Sequence, residues 1–310
     1  MRLKRITQRR ILIVLCVLFC ILNLAAFASA YSMTHFTQPG ELGLGQPRPF
    51  TSGTPSDVGL KYEQHRISIG ADEWVDTWFI PTEVPPQGTV LLFHGNGGDK
   101  ASQLLYVAEA FLSLGYDTWL VDFRGVGGSS GQTSTLGVRE GGDVALSLAY
   151  AKEFGSQPPF VLYGVSMGSA AILRAIAHHS ISPDGIILEL PFVTMLEAVR
   201  KRIVVSGMPT FPMAELIVFW GSAQHGFNGF AHNPLDYASK VTMPTLLMHG
   251  EQDRWVTIDE INQLFAQFAG DKQLVTFPTA GHVPLLGVDA QKWTMAIEQL
   301  LEKARAEVNS

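Results

Sequence analysis

The segment Gly164-Val165-Ser166-Met167-Gly168 fits the pattern G-x-S-x-G, which places a serine hydroxyl on a sharp turn from strand to helix. The pattern recurs at Gly127-Gly128-Ser129-Ser130-Gly131, so spacing alone does not choose between the two serines. Their surroundings do. Ser166 follows the apolar run Phe160-Val161-Leu162-Tyr163 and precedes Met167 to His179, whose apolar positions recur at helical spacing. Ser129 sits in a Gly/Ser loop, with no helical pattern until residue 139. Ser166 is therefore the candidate nucleophile, and the small Gly164 and Gly168 permit the tight turn it needs.

A serine hydroxyl is a weak nucleophile near neutral pH. It needs a base, and the base needs an orienting carboxylate. Where the serine sits on such a turn, the expected chain order is serine, acid, histidine. Of nine histidines, only His282 lies beyond Ser166 in a loop after the last strand-like run. His249 ends a strand and suits a packing role, His178 and His179 end a helix, and His225 and His232 have no neighbouring acidic pattern that suggests a metal. Asp253, in His249-Gly250-Glu251-Gln252-Asp253, follows a strand and is the candidate acid; Glu251 and Asp289 are its rivals. The oxyanion formed on attack needs two backbone N–H donors. Met167, next to the nucleophile, supplies one. Asn96, in Phe93-His94-Gly95-Asn96-Gly97-Gly98-Asp99, is the candidate for the other. That glycine-rich loop completes neither phosphate-binding pattern, so no nucleotide cofactor is expected. Asp122 and Arg124 close another strand and are expected to order loops.

Elements with the right spacing must carry these residues. Strand-like apolar runs cover 64–69, 74–80, 88–93, 117–121, 159–163, 185–190, 244–249 and 273–277. Helical patterns cover 101–114, 139–154, 167–179, 257–269 and 288–306. The first two strands are too close for a helix between them and predict an antiparallel hairpin. The later ones are short, continuous and rich in Val, Leu and Ile, as strands buried on both faces of a parallel sheet are. The alternation predicts an α/β fold, a mostly parallel doubly wound sheet. Residues 192–238 are too long for a simple crossover and carry Phe192, Met195, Phe211, Phe219, Trp220, Phe227 and Phe230. They predict a helical lid insertion, some of whose apolar side chains line an acyl pocket.

Composition narrows the function further. Hydrophobic residues make up 46% and charged residues 16%, enough for a large core and unlike a disordered chain. The 22 Lys and Arg face 28 Asp and Glu, and five of the basic residues (Arg2, Lys4, Arg5, Arg9, Arg10) precede position 11. The acid-rich remainder argues against nucleic acid as a partner. Both cysteines, Cys16 and Cys20, lie in the apolar run 11–30, leaving none in the body for a disulfide, a zinc site or a nucleophile. That run is about as long as a membrane span of ~20 residues and longer than a signal-peptide core of roughly 7–15. Residues 1–30 are thus expected to be a membrane anchor, with the basic flank cytoplasmic and the body exported, periplasmic or extracytoplasmic. The alternative is a signal peptide cleaved after Ala30 and a secreted body. Residues 31–60, rich in Gly, Pro, Ser and Thr, predict a linker or strap, and 61–310 the catalytic domain.

In order, His94-Gly95-Asn96, Asp122-Phe123-Arg124-Gly125, Gly164-Val165-Ser166-Met167-Gly168, His249-Gly250-Glu251-Gln252-Asp253 and Gly281-His282 resemble the motifs of the α/β-hydrolase superfamily. The resemblance runs from 62 to 306, and is greatest to the lid-bearing serine aminopeptidase and monoacylglycerol lipase group. It implies the α/β-hydrolase fold, with a strand order that reverses at the sheet centre, and cofactor-free hydrolysis of esters, thioesters or amides. The expected function is a serine hydrolase of small-molecule or lipid-like acyl esters, carboxylesterase, lipase-like or thioesterase. A peptidase or amidase, and a catalytically silent binding protein, are the alternatives. The sequence names no protein partner.

Overall fold

The apolar runs become the strands of a sheet whose two faces are both covered. The computed structural model describes residues 2–38, 40–205, 207 and 209–308. The ranges predicted above also include Met1, Pro39, Ser206, Met208, Asn309 and Ser310, which lie outside the described residues. The chain starts with a helix, α1 (Arg2–Thr34), followed by two short strands, β1 (Phe36–Thr37) and β2 (Gln46–Pro47), that pair in parallel. The eight strands of the main sheet are β3 (Glu63–Ser68), β4 (Trp74–Ile80), β5 (Thr89–Phe93), β6 (Asp117–Val121), β7 (Phe160–Val165), β8 (Gly185–Glu189), β9 (Thr245–Gly250) and β10 (Lys272–Phe277). Their spatial order is β10-β9-β8-β7-β5-β6-β4-β3. β3 and β4 form the expected antiparallel hairpin, β4 runs antiparallel to β6, and the other neighbours are parallel.

From β5 the chain winds first toward β6 and then back across to β7. The loops leaving β5 and β7 therefore diverge over the centre of the sheet, where open α/β sheets place their ligands. Alternation along β5 sends side chains to opposite faces. Leu91 and Phe93 pack with α3 (Glu140–Phe154), α4 (Met167–His179) and α8 (Ile258–Gln267). Val90 and Leu92 pack with α2 (Leu105–Ser113) and α9 (Ala290–Val308). The helical run predicted from 101 begins earlier, as a wide turn over Lys100–Leu104 capped by Asp99, whose side chain accepts from the Ser102 N–H.

Between β8 and β9 lie α5 (Met195–Val205), α6 (Met213–His225) and α7 (Pro234–Tyr237). Part of their apolar surface turns inward: Phe192 and Met195 are buried, whereas Phe211, Phe219 and Phe230 face outward. A third core forms here, joining Ala26 and Ala30 of α1 to Met195, Val199 and Ile203 of α5 and Ala214, Ile217 and Val218 of α6. The first helix extends past the expected boundary at residue 30. Helix α1 runs on through Tyr31 to Thr34, because its last turns are packed against α6 and so keep their helical bonds. The segment after it straps the body: Arg48 donates to the carbonyls of Gly131 (2.8 Å) and Gly127 (3.1 Å).

Candidate active site

Ser166 occupies the turn between β7 and α4 with φ 51° and ψ −106°, a left-handed backbone that a side chain rarely adopts. Two glycines make room for it. A Cβ on Gly164 would come within 2.6 Å of the Gly168 backbone carbon, and one on Gly168 within 2.3 Å of the Phe93 carbonyl oxygen. The Ser166 N–H donates to the Glu189 carbonyl at the end of β8 (2.7 Å), which pins the turn to the sheet. Its Oγ lies 3.1 Å from Nε2 of His282, and Nδ1 of His282 lies 2.6 Å from Oδ2 of Asp253. A carboxylate only accepts, so Nδ1 carries the proton toward Asp253 and Nε2 is left to accept from the serine hydroxyl. A hydroxyl, an imidazole and a carboxylate in this order can pass a proton from the serine to the histidine.

The acid is held by its own loop. Oδ1 of Asp253 accepts from the N–H groups of Trp255 (2.7 Å) and Val256 (3.2 Å). Burial alone would raise this carboxyl, but the hydrogen bond and charge of His282, with the two N–H groups, outweigh it and hold the carboxyl below its ordinary range. His249 takes a supporting part: its buried ring donates through Nε2 to the Val256 carbonyl (3.1 Å). The Trp255 ring stacks on His282, with centroids 5.1 Å apart.

Glu189 is a residue that the sequence reading missed. Its buried side chain accepts from the Leu285 N–H (2.9 Å), the Tyr163 hydroxyl (2.7 Å) and the Trp293 indole (3.2 Å). It thus ties β7 and α9 to the loop that carries His282. Burial pushes its carboxyl up. The one available signal was an acid ending the otherwise apolar run Gly185-Ile186-Ile187-Leu188.

The loop after β5 abuts the serine. A Cβ on Gly95 would lie 3.5 Å from the Ser166 Cβ. His94, fully buried, sets this loop: Nδ1 donates to the Gly95 carbonyl (2.8 Å) and Nε2 accepts from the Phe123 N–H (3.0 Å). Asn96 follows as an exposed residue, and Met167 is buried at the start of α4. Among the described residues, neither the Asn96 nor the Met167 N–H donates to a backbone carbonyl.

Known proteins resemble this chain in sequence and in fold. Residues 84–218 match the family described as serine aminopeptidase, S33, and residues 230–305 the family described as PhoPQ-activated pathogenicity-related protein. An esterase of Pyrococcus furiosus superposes with a TM-score of 0.70 at 21% identity, over 83% of this chain and 96% of that one. The chain has the α/β-hydrolase fold. Among curated relatives, the membrane protein YNL320W of Saccharomyces cerevisiae is 24% identical over 81% of this chain and 83% of its own length. The lysophosphatidylserine lipase ABHD12 of Danio rerio is 26% identical over 64% of this chain, which spans about half (51%) of that protein.

The rival residues have other tasks in this fold. The Ser129 hydroxyl is buried, donating to the Asp122 carbonyl (2.7 Å) and accepting from the Asp76 N–H (2.8 Å). Glu251 accepts from the Thr276 hydroxyl (2.7 Å), and Asp289 from the Lys292 N–H (3.0 Å) at the start of α9. Asp122 and Arg124 order loops through partners that the sequence did not suggest. Lys100, buried, pairs with Asp76 (2.6 Å) and Asp122, and Nε of Arg124 bonds Asp143 (3.1 Å).

Two buried histidines between β8 and β9 make the fold sensitive to acid. Burial first, then the charges of His35 and Arg139 against an opposing pull from Glu140, lower His225 to about 4 from the ordinary 6.5. Burial and Arg174 lower His232 to about 3 despite its bond to the Leu136 carbonyl. An unfolded chain protonates both near 6.5, so it binds more protons than the folded one below that pH. Stability is complete above about pH 6.5 and falls as pH drops toward 4. The melting temperature is expected to fall between pH 7 and 5. His225→Phe, which keeps a ring and removes the titration, should flatten that slope; an unchanged slope would refute the assignment.

Proposed function

We propose that this chain is a serine hydrolase of acyl esters, held at a membrane by its N-terminal helix. The relay from Ser166 through His282 to Asp253, with separations of 3.1 and 2.6 Å, carries the reading. Ser166 Oγ attacks the ester carbonyl carbon as its proton passes to Nε2 of His282. Asp253 steadies the imidazolium that forms. The carbonyl oxygen becomes an oxyanion held by the N–H groups of Asn96 and Met167. Collapse expels the alcohol, which takes the proton from His282, and leaves an acyl-serine. Water then gives its proton to His282 and adds to the acyl carbon; collapse returns the proton to Ser166 Oγ and frees the acid.

An apolar cavity beside Asn96 supports a hydrophobic acyl group. Its walls include Met195, Val199, Ile217, Val218 and Phe227. The solved esterase and the lysophosphatidylserine lipase give this chemistry precedents in similar proteins. A peptidase or amidase is the second reading, favoured by the match to the serine aminopeptidase family. It would use the same residues against a poorer leaving group.

Thr7–Thr34 is long and apolar enough to cross a membrane, and five basic residues cluster before position 11, at its N-terminal end. The length of the apolar run supports an anchor over a cleaved signal. The test is labelling of the full-length protein by a fluorophosphonate probe, then p-nitrophenyl esters from acetyl to dodecanoyl beside aminoacyl amides. Labelling with kcat/KM rising from acetyl toward butyryl and longer esters is expected. Absence of labelling would overturn the serine mechanism, and faster amide turnover would favour the peptidase. The protein should also resist an alkaline carbonate wash; release with Tyr31 as its first residue would show a cleaved signal.

A further inference from the structure

The cavity beside Asn96 has an unexpected wall. Besides lid residues such as Met195 and Val218, it is lined by Ala30, Met33 and Thr34, the last turns of α1. These belong to the helix proposed as the membrane anchor. With Ala26 they form a stripe at i, i+4, i+7 and i+8, one face of the helix.

That face is built into the body. Ala26 and Ala30 are buried, and the Ala30 Cβ lies 3.9 Å from where a Cβ on Gly221 would stand, so small residues let α1 and α6 approach closely. Polar bonds fix the register: the Trp220 indole donates to the Asn23 side chain (3.2 Å), and the Gln224 side chain donates to the Phe27 carbonyl (3.1 Å). Phe27 meets Trp220 edge to face at 5.5 Å. At the far end the Ser134 N–H donates to the Thr34 carbonyl (2.8 Å). The Ser134 hydroxyl in turn lies 3.4 Å from the Met167 sulfur, beside the candidate nucleophile. The end of α1 is thus one residue removed from the catalytic turn.

Earlier in the helix the apolar side chains from Ile11 to Leu22 are exposed. At 1.5 Å per residue these twelve residues span roughly 18 Å, short of a hydrocarbon core of ~30 Å. A full crossing of about 20 residues from Ile11 ends at Ala30, on the cavity wall. Phe211 and Phe219 of the adjoining lid are exposed as well. An acyl chain in the bilayer would therefore meet the cavity where α1 leaves the membrane.

We propose that the anchor helix is itself a wall of the acyl pocket, with Met33 and Ala30 as specificity-determining residues for an acyl ester taken from the bilayer. This rests on the serine-hydrolase reading above. Met33 is the side chain to vary, because it lines the cavity and is only partly buried, whereas Ala30 is held against α6. The experiment compares full-length wild type, Met33→Ala and Met33→Phe in detergent micelles, reading the ratio of kcat/KM for octanoyl over butyryl p-nitrophenyl esters. Shortening Met33 should raise the ratio about five- to tenfold, and phenylalanine should lower it by a similar factor, within the range of a methylene-sized change in an apolar pocket. A folding defect lowers both esters together and cannot move the ratio in opposite directions. Ratios within twofold of wild type in both variants, or a uniform loss across esters, would overturn the wall assignment and leave the serine mechanism standing. A wild type that neither labels with fluorophosphonate nor cleaves esters would remove both.

Discussion

Replacing Ser166 by alanine should abolish fluorophosphonate labelling and reduce kcat by roughly 10⁵–10⁶-fold, the scale of losing the nucleophile from a catalytic triad. The turn should survive, because its geometry depends on Gly164, Gly168 and the bond from the Ser166 N–H to the Glu189 carbonyl, none of which uses the hydroxyl. Alanine keeps the same left-handed backbone and leaves only an imidazole without its donor. The contrast is Ser129→Ala, at the serine that fits the same sequence pattern. Its buried hydroxyl bridges the Asp122 carbonyl and the Asp76 N–H, so its loss strands two backbone groups. We expect a cost of about 1–3 kcal/mol and a drop in melting temperature of roughly 2–8 °C, with labelling retained. Retained labelling in Ser166→Ala, or loss of labelling in a folded Ser129→Ala, would refute the nucleophile assignment.

Asp253→Asn should lose about 10⁴-fold in kcat with little change in fold. The shape is preserved, but the amide can present its NH₂ to Nδ1 of His282. That favours the tautomer with the proton on Nε2, facing Ser166, where it cannot accept the serine proton. The amide oxygen can still take the N–H groups of Trp255 and Val256, so the loop should hold. Glu251→Gln is the control. Its side chain is occupied by Thr276 and is predicted to change kcat less than threefold. A loss below tenfold for Asp253→Asn, or a large one for Glu251→Gln, would move the acid to another residue.

What could be read along the chain was whatever a short stretch settles by itself. The strand before Ser166, the glycines around it and the helix after it all lie within 20 residues, and each expresses a local backbone preference. That was enough to prefer Ser166 over Ser129 as a candidate. The positions of Asp253 and His282 followed from chain order, since each lies in a loop after a strand and parallel strands bring such loops to one edge. The antiparallel hairpin of β3 and β4 was legible because the gap between them has no room for a helix.

Glu189, Lys100 and α1 were different. An acid at the end of a strand looks like any turn residue until the strand order sets Tyr163, Trp293 and Leu285 around it. A lysine beside a glycine-rich loop looks solvent-facing until Asp76 and Asp122 arrive from two other strands. The apolar run of α1 signalled a span by its composition, but composition holds no record of what a helix touches. That Ala30 and Met33 face the same cavity as Met195 and Val218 depends on packing between segments more than 160 residues apart. Only the tertiary structure decides such contacts, because the free energy that selects them comes from surfaces that the chain brings together after its local elements have formed.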